Sequence, residues 1–462
     1  MESASIAASG GFIARRFKFS ERKTNLRTEA LGGLSTFLTM CYILFVNPAI
    51  LSQAGLPFAA VAVCTALAAA ITTIAMGLLS NTPFALASGL GLNAVVAFDI
   101  ILGRKLGWQT GMACVVIEGL VALVLVIVGL REAVMRAVPT SLKIAIGVGI
   151  GLFIALVGLR QAGIVVNNPA TGIGLGNLTT GPALIGLAGI FVAFALASRN
   201  IRGAVLIGIA TSTVLGLIAG VLDTPDKVAQ WPHSGDFSTI GDAWGHLGDA
   251  LTWALVPTIF ALFMSDFFDT IGTVVAVGTP AGLVDKDGNV EGVRNILLVD
   301  SAAAALGGTF GVSSVTTYVE SGAGVAEGAR TGFASLVTGG LFVLAIFFVP
   351  IMALVGQQVE VTKGVFGSPA VAPALVMVGY LMMRMVPAIE WGEAETAIPA
   401  FLIIAGIPLT FDISAGIGFG VLGFVVTMVV RGKARDVHPL MWALVPLFLA
   451  FFTHDWLSQH VF

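Results

Sequence analysis

The sequence predicts an all-α polytopic membrane protein, and three observations predict it. Charged residues make up only 11% of the 462 residues while apolar types make up 57%. A soluble domain carries about 25% charged residues. The mean hydropathy is +0.97. Uncharged apolar runs recur along the chain at roughly the 18 residues needed to cross a bilayer core. In lipid only helices and closed barrels satisfy their backbone groups, and these runs are continuous rather than alternating, which selects helices.

The apolar stretches fall at 30–50, 58–79, 84–101, 109–129, 141–158, 182–198, 203–222, 253–278, 294–309, 313–327, 331–355, 369–386, 396–411, 414–430 and 440–454, which is 15 in all. Two of them, 84–101 and 313–327, are rich in Gly, Ser and polar residues and read as interrupted spans. Arg15, Arg16, Lys18, Arg22, Lys23 and Arg27 precede the first run. They mark a cytoplasmic flank rather than a nucleic-acid patch. No cleavable signal peptide is expected, because no small-residue cleavage site follows the first run. With the N-terminus inside, Arg131, Arg136, Arg199 and Arg202 also fall inside. The acidic loop 223–250, with Asp223, Asp226, Asp236, Asp242 and Asp249, falls outside, and Arg104 and Lys105 are exceptions to the rule. Cys41, Cys64 and Cys114 sit within apolar runs as small core residues, with neither metal-ligand spacing nor a disulfide framework.

An internal similarity organises the chain. Ser88-Gly89-Leu90-Gly91 recurs as Ser321-Gly322-Ala323-Gly324, 233 positions later. Each copy lies in one of the interrupted spans, and each of those is third in its half. Seven spans per half would set the halves in opposite orientations. Paired interrupted segments in inverted repeats mark the binding site of secondary transporters.

Ionisable groups within spans are costly and face a cavity or a partner. Asp266 and Asp269 stand three apart in Met264-Ser265-Asp266-Phe267-Phe268-Asp269-Thr270 and share one side of a helix. Two carboxylates so close repel, so one of them is suited to taking up and releasing a proton. Glu320 adjoins the glycines of the second interrupted span, where the backbone can approach a ligand and a carboxylate can accept N–H groups of a heterocycle. Gly91, Ser321 and Gly322 supply that close backbone approach. Asn93 offers both donors and an acceptor. Glu118, Asp99, Asp300 and Asp412 read as packing or interface residues, and Thr36 and Thr39 as bonded to backbone carbonyls or a neighbouring helix. Phe98, Phe267 and Phe268 are aromatic candidates for stacking on a flat base, against a background of 30 Phe.

At these residues the chain resembles a known family. Leu34-Ser35-Thr36-Phe37-Leu38-Thr39-Met40 with Phe45-Val46-Asn47-Pro48-Ala49-Ile50-Leu51, Gly89-Leu90-Gly91-Leu92-Asn93-Ala94, Ser265-Asp266-Phe267-Phe268-Asp269-Thr270-Ile271-Gly272-Thr273, Val319-Glu320-Ser321-Gly322-Ala323-Gly324 and Ala397-Ile398-Pro399-Ala400-Phe401-Leu402 are similar to the azaguanine-type purine permeases, a branch of the nucleobase–cation symporters. The likeness runs from about Phe17 to the C-terminus. It implies the uracil-permease type of fold, with 14 spans as two inverted sets of seven, so that one of the 15 stretches is surplus. By the same resemblance, residues 29–130 and 253–356 form a core domain and 131–222 and 357–462 a gate domain. Residues 1–28 are a cytoplasmic segment and 223–252 an extracytoplasmic loop. Spans three and ten are broken and hold substrate between them and span eight. The gate domain is often a dimer interface, which implies a homodimer. Asp266 and Glu320 match the binding carboxylates, Asn93 the span-three asparagine, and Asp269 a further carboxylate of span eight. The segment Ala94-Val95-Val96-Ala97-Phe98 is less aromatic than the family pattern.

The function this implies is import of a purine nucleobase with a proton across the plasma membrane. No cofactor is called for, and Na⁺ is less well supported than H⁺ as the coupling ion. An anion transporter of the same fold is the alternative. It would need positive potential at the interrupted spans, where the sequence instead places Glu320. A channel would be expected to show a filter sequence or charge rings. An enzyme would be expected to show a motif such as HExxH, a phosphate loop or a nucleophile elbow. Neither kind of signal is present.

Overall fold

The structure, a computed structural model, describes residues 11–129, 138–201, 203–284 and 290–460. Arg131, Arg136 and Arg202, used above for orientation, lie outside the described residues. The first apolar stretch folds as two helical pieces, α1 (Leu26–Met40) and α2 (Ile43–Gln53), and α3 (Phe58–Ser80) follows. The first interrupted stretch is a strand, β1 (Leu86–Ser88), a short helix, α4 (Leu90–Ala94), and a π-helical continuation, Val95–Gly103. Next come α5 (Trp108–Ile127), α6 (Thr140–Gln161), α7 (Gly181–Ser198) and α8 (Ala204–Ile218). The second half opens with α9 (Val256–Ala281) and α10 (Val293–Phe310). Its interrupted stretch is β2 (Val315–Thr317) followed by α11 (Ser321–Ala326). The remaining elements are α12 (Gly332–Ala345), α13 (Val349–Val355), α14 (Ala372–Met383), α15 (Ala394–Thr410), α16 (Ile413–Val430) and α17 (Pro439–His460). Among the described residues, nine helices are long and apolar enough to cross a membrane.

Packing follows the repeat. In one bundle, α3 lies on α12 and α10 lies on α5, and these two contacts are equivalents of each other under the exchange of halves. In a second bundle, α6 lies on α14, α7 on α8 and α15 on α16. Small residues allow these close approaches: a side chain on Gly332 of α12 would come within 2.0 Å of the Gly77 carbonyl of α3. The last apolar stretch, α17, packs beside α16.

β1 and β2 pair antiparallel across the centre of the molecule, with Ala87 opposite Thr316, Leu86 opposite Thr317 and Ser88 opposite Val315. This pairing is symmetric about Ala87 and Thr316, so the halves correspond at an offset of 229 positions (86 to 315). The Ser-Gly-x-Gly match at 233 therefore finds the right pair of spans but is four residues out of register. Ser88 ends a strand, whereas Ser321 opens a helix. Backbone groups freed by the breaks are satisfied across the pair. Gly89 N–H donates to the Ser314 carbonyl (2.9 Å) and Tyr318 N–H to the Ala85 carbonyl (2.9 Å). Ala85 N–H donates to Ser321 Oγ (2.9 Å) and Leu86 N–H to Thr73 Oγ1 (2.9 Å). Satisfying every such group is what makes irregular backbone tolerable at this depth.

The two ends of the bundle are held by different contacts. Arg16 donates to the Leu78 carbonyl at the end of α3 (2.6 Å), and Arg22 pairs with Glu291 between α9 and α10 (2.8 Å). Buried Glu29 of α1 accepts from Arg330 N–H (2.8 Å) at the start of α12. At the other end, the loop before α9 covers the end of α10: Gly241 N–H donates to the Thr309 carbonyl and Thr239 Oγ1 to the Phe310 carbonyl, each at 2.8 Å. Arg104 belongs to this second end and lies 3.5 Å from the carboxylates of both Asp99 and Asp412.

Candidate functional site

A cavity of about 530 Å³ lies between the two bundles, within the size range of small-molecule sites. One wall comes from α2's approach, the interrupted stretches and α9: Tyr42, Gly89, Gly91, Ser265, Asp269, Thr273, Thr317, Tyr318 and Glu320 are on it. The opposite wall comes from α6 and α14, and except for Lys143 it is apolar, with Ile146, Ile150, Val378 and Met382. One side therefore supplies orientation and the other a greasy face.

Glu320 stands immediately before α11, and Tyr42 OH donates to its Oε1 at 2.5 Å. A carboxylate has acceptor capacity beyond one such bond, so Glu320 keeps an oxygen for a ligand N–H. Thr39, on the helix below, bonds the Ser35 and Thr36 carbonyls at 2.9 Å each and lies 3.4 Å from the Glu320 carbonyl. Tyr318 OH donates to the Ser88 carbonyl at 2.5 Å and so ties the two interrupted stretches together. Thr317 is among the lining residues, and its hydroxyl is buried without a protein partner.

The Asp266–Asp269 pair divides. Positions three apart on an α-helix differ by about 60° in direction. Asp269 opens onto the cavity, whereas Asp266 is 1% exposed and accepts from Ser314 Oγ at 3.2 Å, behind the wall. Asn93 is likewise fully buried. Ser88 Oγ donates to its Oδ1 at 2.7 Å, and its Nδ2 is without a protein partner. Of the residues named from the sequence, the cavity wall brings together Gly91, Asp269 and Glu320. Asn93, Asp266, Ser321 and Gly322 stand off that wall, with Ser321 bonded to the Ala85 backbone instead.

Asp300, read from sequence as a packing residue, is an organising one. Its carboxylate accepts from Thr270 Oγ1 (2.7 Å), Thr316 Oγ1 (3.4 Å) and Thr317 N–H (3.2 Å), which fixes β2 against α9 and α10. Phe98 packs edge-on to Phe153 (6.4 Å) and Phe267 stacks on Phe263 (5.6 Å). Neither ring is on the cavity wall, and the Phe268 side chain lies outside the described residues. Tyr42, Lys143, Thr317 and Tyr318 were not found from the sequence. Thr317 and Tyr318 flank the second motif closely enough that proximity to Glu320 was an available signal. Tyr42 and Lys143 come from distant helices, and only the tertiary fold places them here.

Interrupted spans paired across an inverted repeat, with carboxylates beside a central cavity, define a membrane carrier of the secondary-transporter type. The profile described as the permease family matches residues 27–419, and the chain belongs to that family. This agrees with the resemblance to nucleobase permeases carried by the sequence motifs. The chain is 42% identical to a guanine/hypoxanthine permease of Bacillus subtilis, over 94% of this chain and 98% of that one. It is 38% identical to an adenine permease of Escherichia coli, over 95% of each. Among solved structures, the transmembrane domain of a cyanobacterial bicarbonate transporter superposes with a TM-score of 0.61 at 14% identity, covering 85% of this chain and 97% of that one. A murine anion transporter of the solute carrier 26 family, in its inward-facing state, gives 0.60 at 12% identity, covering 92% and 73%. These two likenesses establish the shared inverted-repeat fold.

Proposed function

We propose that the protein imports purine nucleobases together with protons across the plasma membrane, by movement of one bundle against the other. The observation that carries this is the cavity wall bearing Asp269 and Glu320 between the interrupted spans, in a chain whose relatives are guanine/hypoxanthine and adenine permeases. A flat heterocycle seated there offers ring N–H groups to the two carboxylates. The backbone near Gly89–Gly91 serves its acceptors, and the apolar wall covers its face.

The bundle built from residues 29–130 and 253–356 acts as the moving core, and that from 131–222 and 357–462 as the gate. An uncompensated carboxylate is costly to carry through an apolar passage. Uptake of a proton by one of the carboxylates removes that charge, and the bound base covers the remaining polar groups. The loaded core then moves, and release on the cytoplasmic side resets it. Asp269, Glu320 and Asp266 titrate as a coupled set, so the proton belongs to the set rather than to one residue. The N-terminus and the segment up to residue 28 lie on the cytoplasmic side and loop 223–252 on the other. Two carboxylates against one lysine disfavour an anionic cargo.

The test is uptake of labelled hypoxanthine, guanine, adenine and uracil in cells lacking their own base permeases, with and without a protonophore. Saturable purine uptake that the protonophore abolishes is the expected result. Uptake of no base by protein shown to be in the membrane would overturn the proposal, and uptake insensitive to the protonophore would overturn its proton-coupled part.

A further inference from the structure

The cavity occupies one half of the interface between the bundles. Ile146 and Ile150 of α6 line it, as do Val378 and Met382 of α14. These two helices run antiparallel, since Gly151 lies against Met382 and Gly158 against Leu375. The lining residues therefore all stand toward one end of the pair. Toward the other end the interface is closed. Phe153 of α6 is buried between Phe98, of the π-helical continuation, at 6.4 Å and Phe411, at the end of α15, at 4.9 Å. The residue after each of the two flanking rings is an aspartate, Asp99 and Asp412, and Arg104 stands 3.5 Å from both carboxylates. Asp99 and Arg104 belong to the first bundle, where the π-helical continuation packs on α5, and Asp412 caps α16 of the second. Asp99 also accepts from Ile413 N–H at 3.3 Å across the same junction, and Arg104 lies over the Phe451 ring of α17 at 5.2 Å. Arg104 Nε and Nη2 make no hydrogen bond, so the hold of Arg104 on the two carboxylates is electrostatic.

We infer that Asp99, Arg104 and Asp412 form a latch that holds the two bundles together on the side away from the cavity, and that this contact breaks each time the bundles move. The inference rests on the moving-bundle part of the proposed function and adds the contact that must open. Breaking a buried ion pair is costly because it leaves a charge uncompensated. Here the division of the charges avoids that cost. When the bundles part, Arg104 keeps Asp99, which travels with it. Asp412, 27% exposed, gains water and keeps its bond from Ala415 N–H at 2.7 Å. Opening therefore gives up one carboxylate contact and the bond from Ile413 N–H, and strands no charge. An attachment of this kind gives the interface two discrete states, attached and released, rather than a continuous slide.

The experiment is maleimide labelling of the purified protein carrying a single introduced cysteine, with Cys41→Ala, Cys64→Ala and Cys114→Ala as background. Val157→Cys reports on the closed half: Val157 is buried, four positions after Phe153 on the same stripe of α6. Ile146→Cys reports on the cavity. With the latch intact, Ile146→Cys should label fast and Val157→Cys slowly. Asp412→Asn removes the charge and keeps a capping acceptor for Ala415 N–H. It should speed labelling of Val157→Cys about fivefold, the effect of a partly exposed ion pair, with no rise at Ile146→Cys. Unchanged labelling of Val157→Cys would overturn the inference, and so would an equal rise at both positions, which is what general loosening gives. Should Asp412→Asn not fold, Asp99→Asn, which keeps an acceptor for Ile413 N–H, is read in the same way. Purine uptake by the wild type beside unchanged labelling would remove the latch and leave the proposed function standing. A wild type that transports no base would count against that function whatever the labelling shows.

Discussion

The two interrupted spans share a backbone plan and differ in chemistry. Counting three residues past the end of each strand reaches Gly91 in the first span and Glu320 in the second. Both line the cavity. At the first position the chain has no side chain, and a Cβ there would come within 2.7 Å of Ile150 Cγ2 in the opposite bundle. At the second position it has a carboxylate held by Tyr42. The inverted repeat therefore supplies a symmetric frame, and one half carries a close contact with α6 where the other carries a carboxylate on the cavity wall. Symmetry of fold does not carry symmetry of role.

Three substitutions probe that division. The largest effect is expected at Glu320. Glu320→Gln keeps the shape and the bond to Tyr42 but removes the charge, and base uptake should fall about 10–100-fold, as for loss of a charge-assisted hydrogen bond. Membrane expression should be unchanged, and near-normal uptake would show that the second span is not the ligand-binding half. Gly91→Ala comes next. The added methyl presses on α6, at a cost of about 1 kcal/mol from the range for overpacking. Transport rate should drop roughly fivefold while the affinity measured on purified protein stays the same, and a loss of affinity at normal rate would instead make Gly91 a binding position. The smallest effect is expected from Tyr42→Phe. This leaves Glu320 in place but free to turn, and should weaken apparent affinity about threefold, within the span of a single hydrogen bond. An effect as large as that of Glu320→Gln would mean that Tyr42 is itself a primary ligand.

The sequence was most informative where the signal is one-dimensional. Continuous apolar runs gave the helices, and the Gly- and Ser-rich composition of 84–101 and 313–327 gave the two breaks, because a chain can leave helical geometry in a membrane only where polar groups and glycines allow it. Asp269 and Glu320 were legible because carboxylates in such runs are rare. Direction within a helix was harder to read. Asp266 and Asp269 differ by about 60°, which is enough to put one behind the wall and the other on it, and no periodicity of an all-apolar helix says which. The repeat was legible as to its partners but not its register. Glycines recur often enough here to match four residues from the true alignment, and only the symmetric pairing of Ala87 with Thr316 fixed it. Lys143 carries no signal of its own in the sequence, and its place on the cavity wall depends on how α6 packs.

The pairing of β1 with β2 also bears on how the protein is made. Leu86 finds its partner Thr317 only after more than two hundred further residues have been synthesised. Until then the Gly89 amide and the Ala85 carbonyl, which bond Ser314 and Tyr318 across the pair, are unmet, a costly condition in lipid. The first half thus reaches the bilayer as an unfinished object. Its central span is completed by the other half, and assembly is governed by a contact that cannot form early.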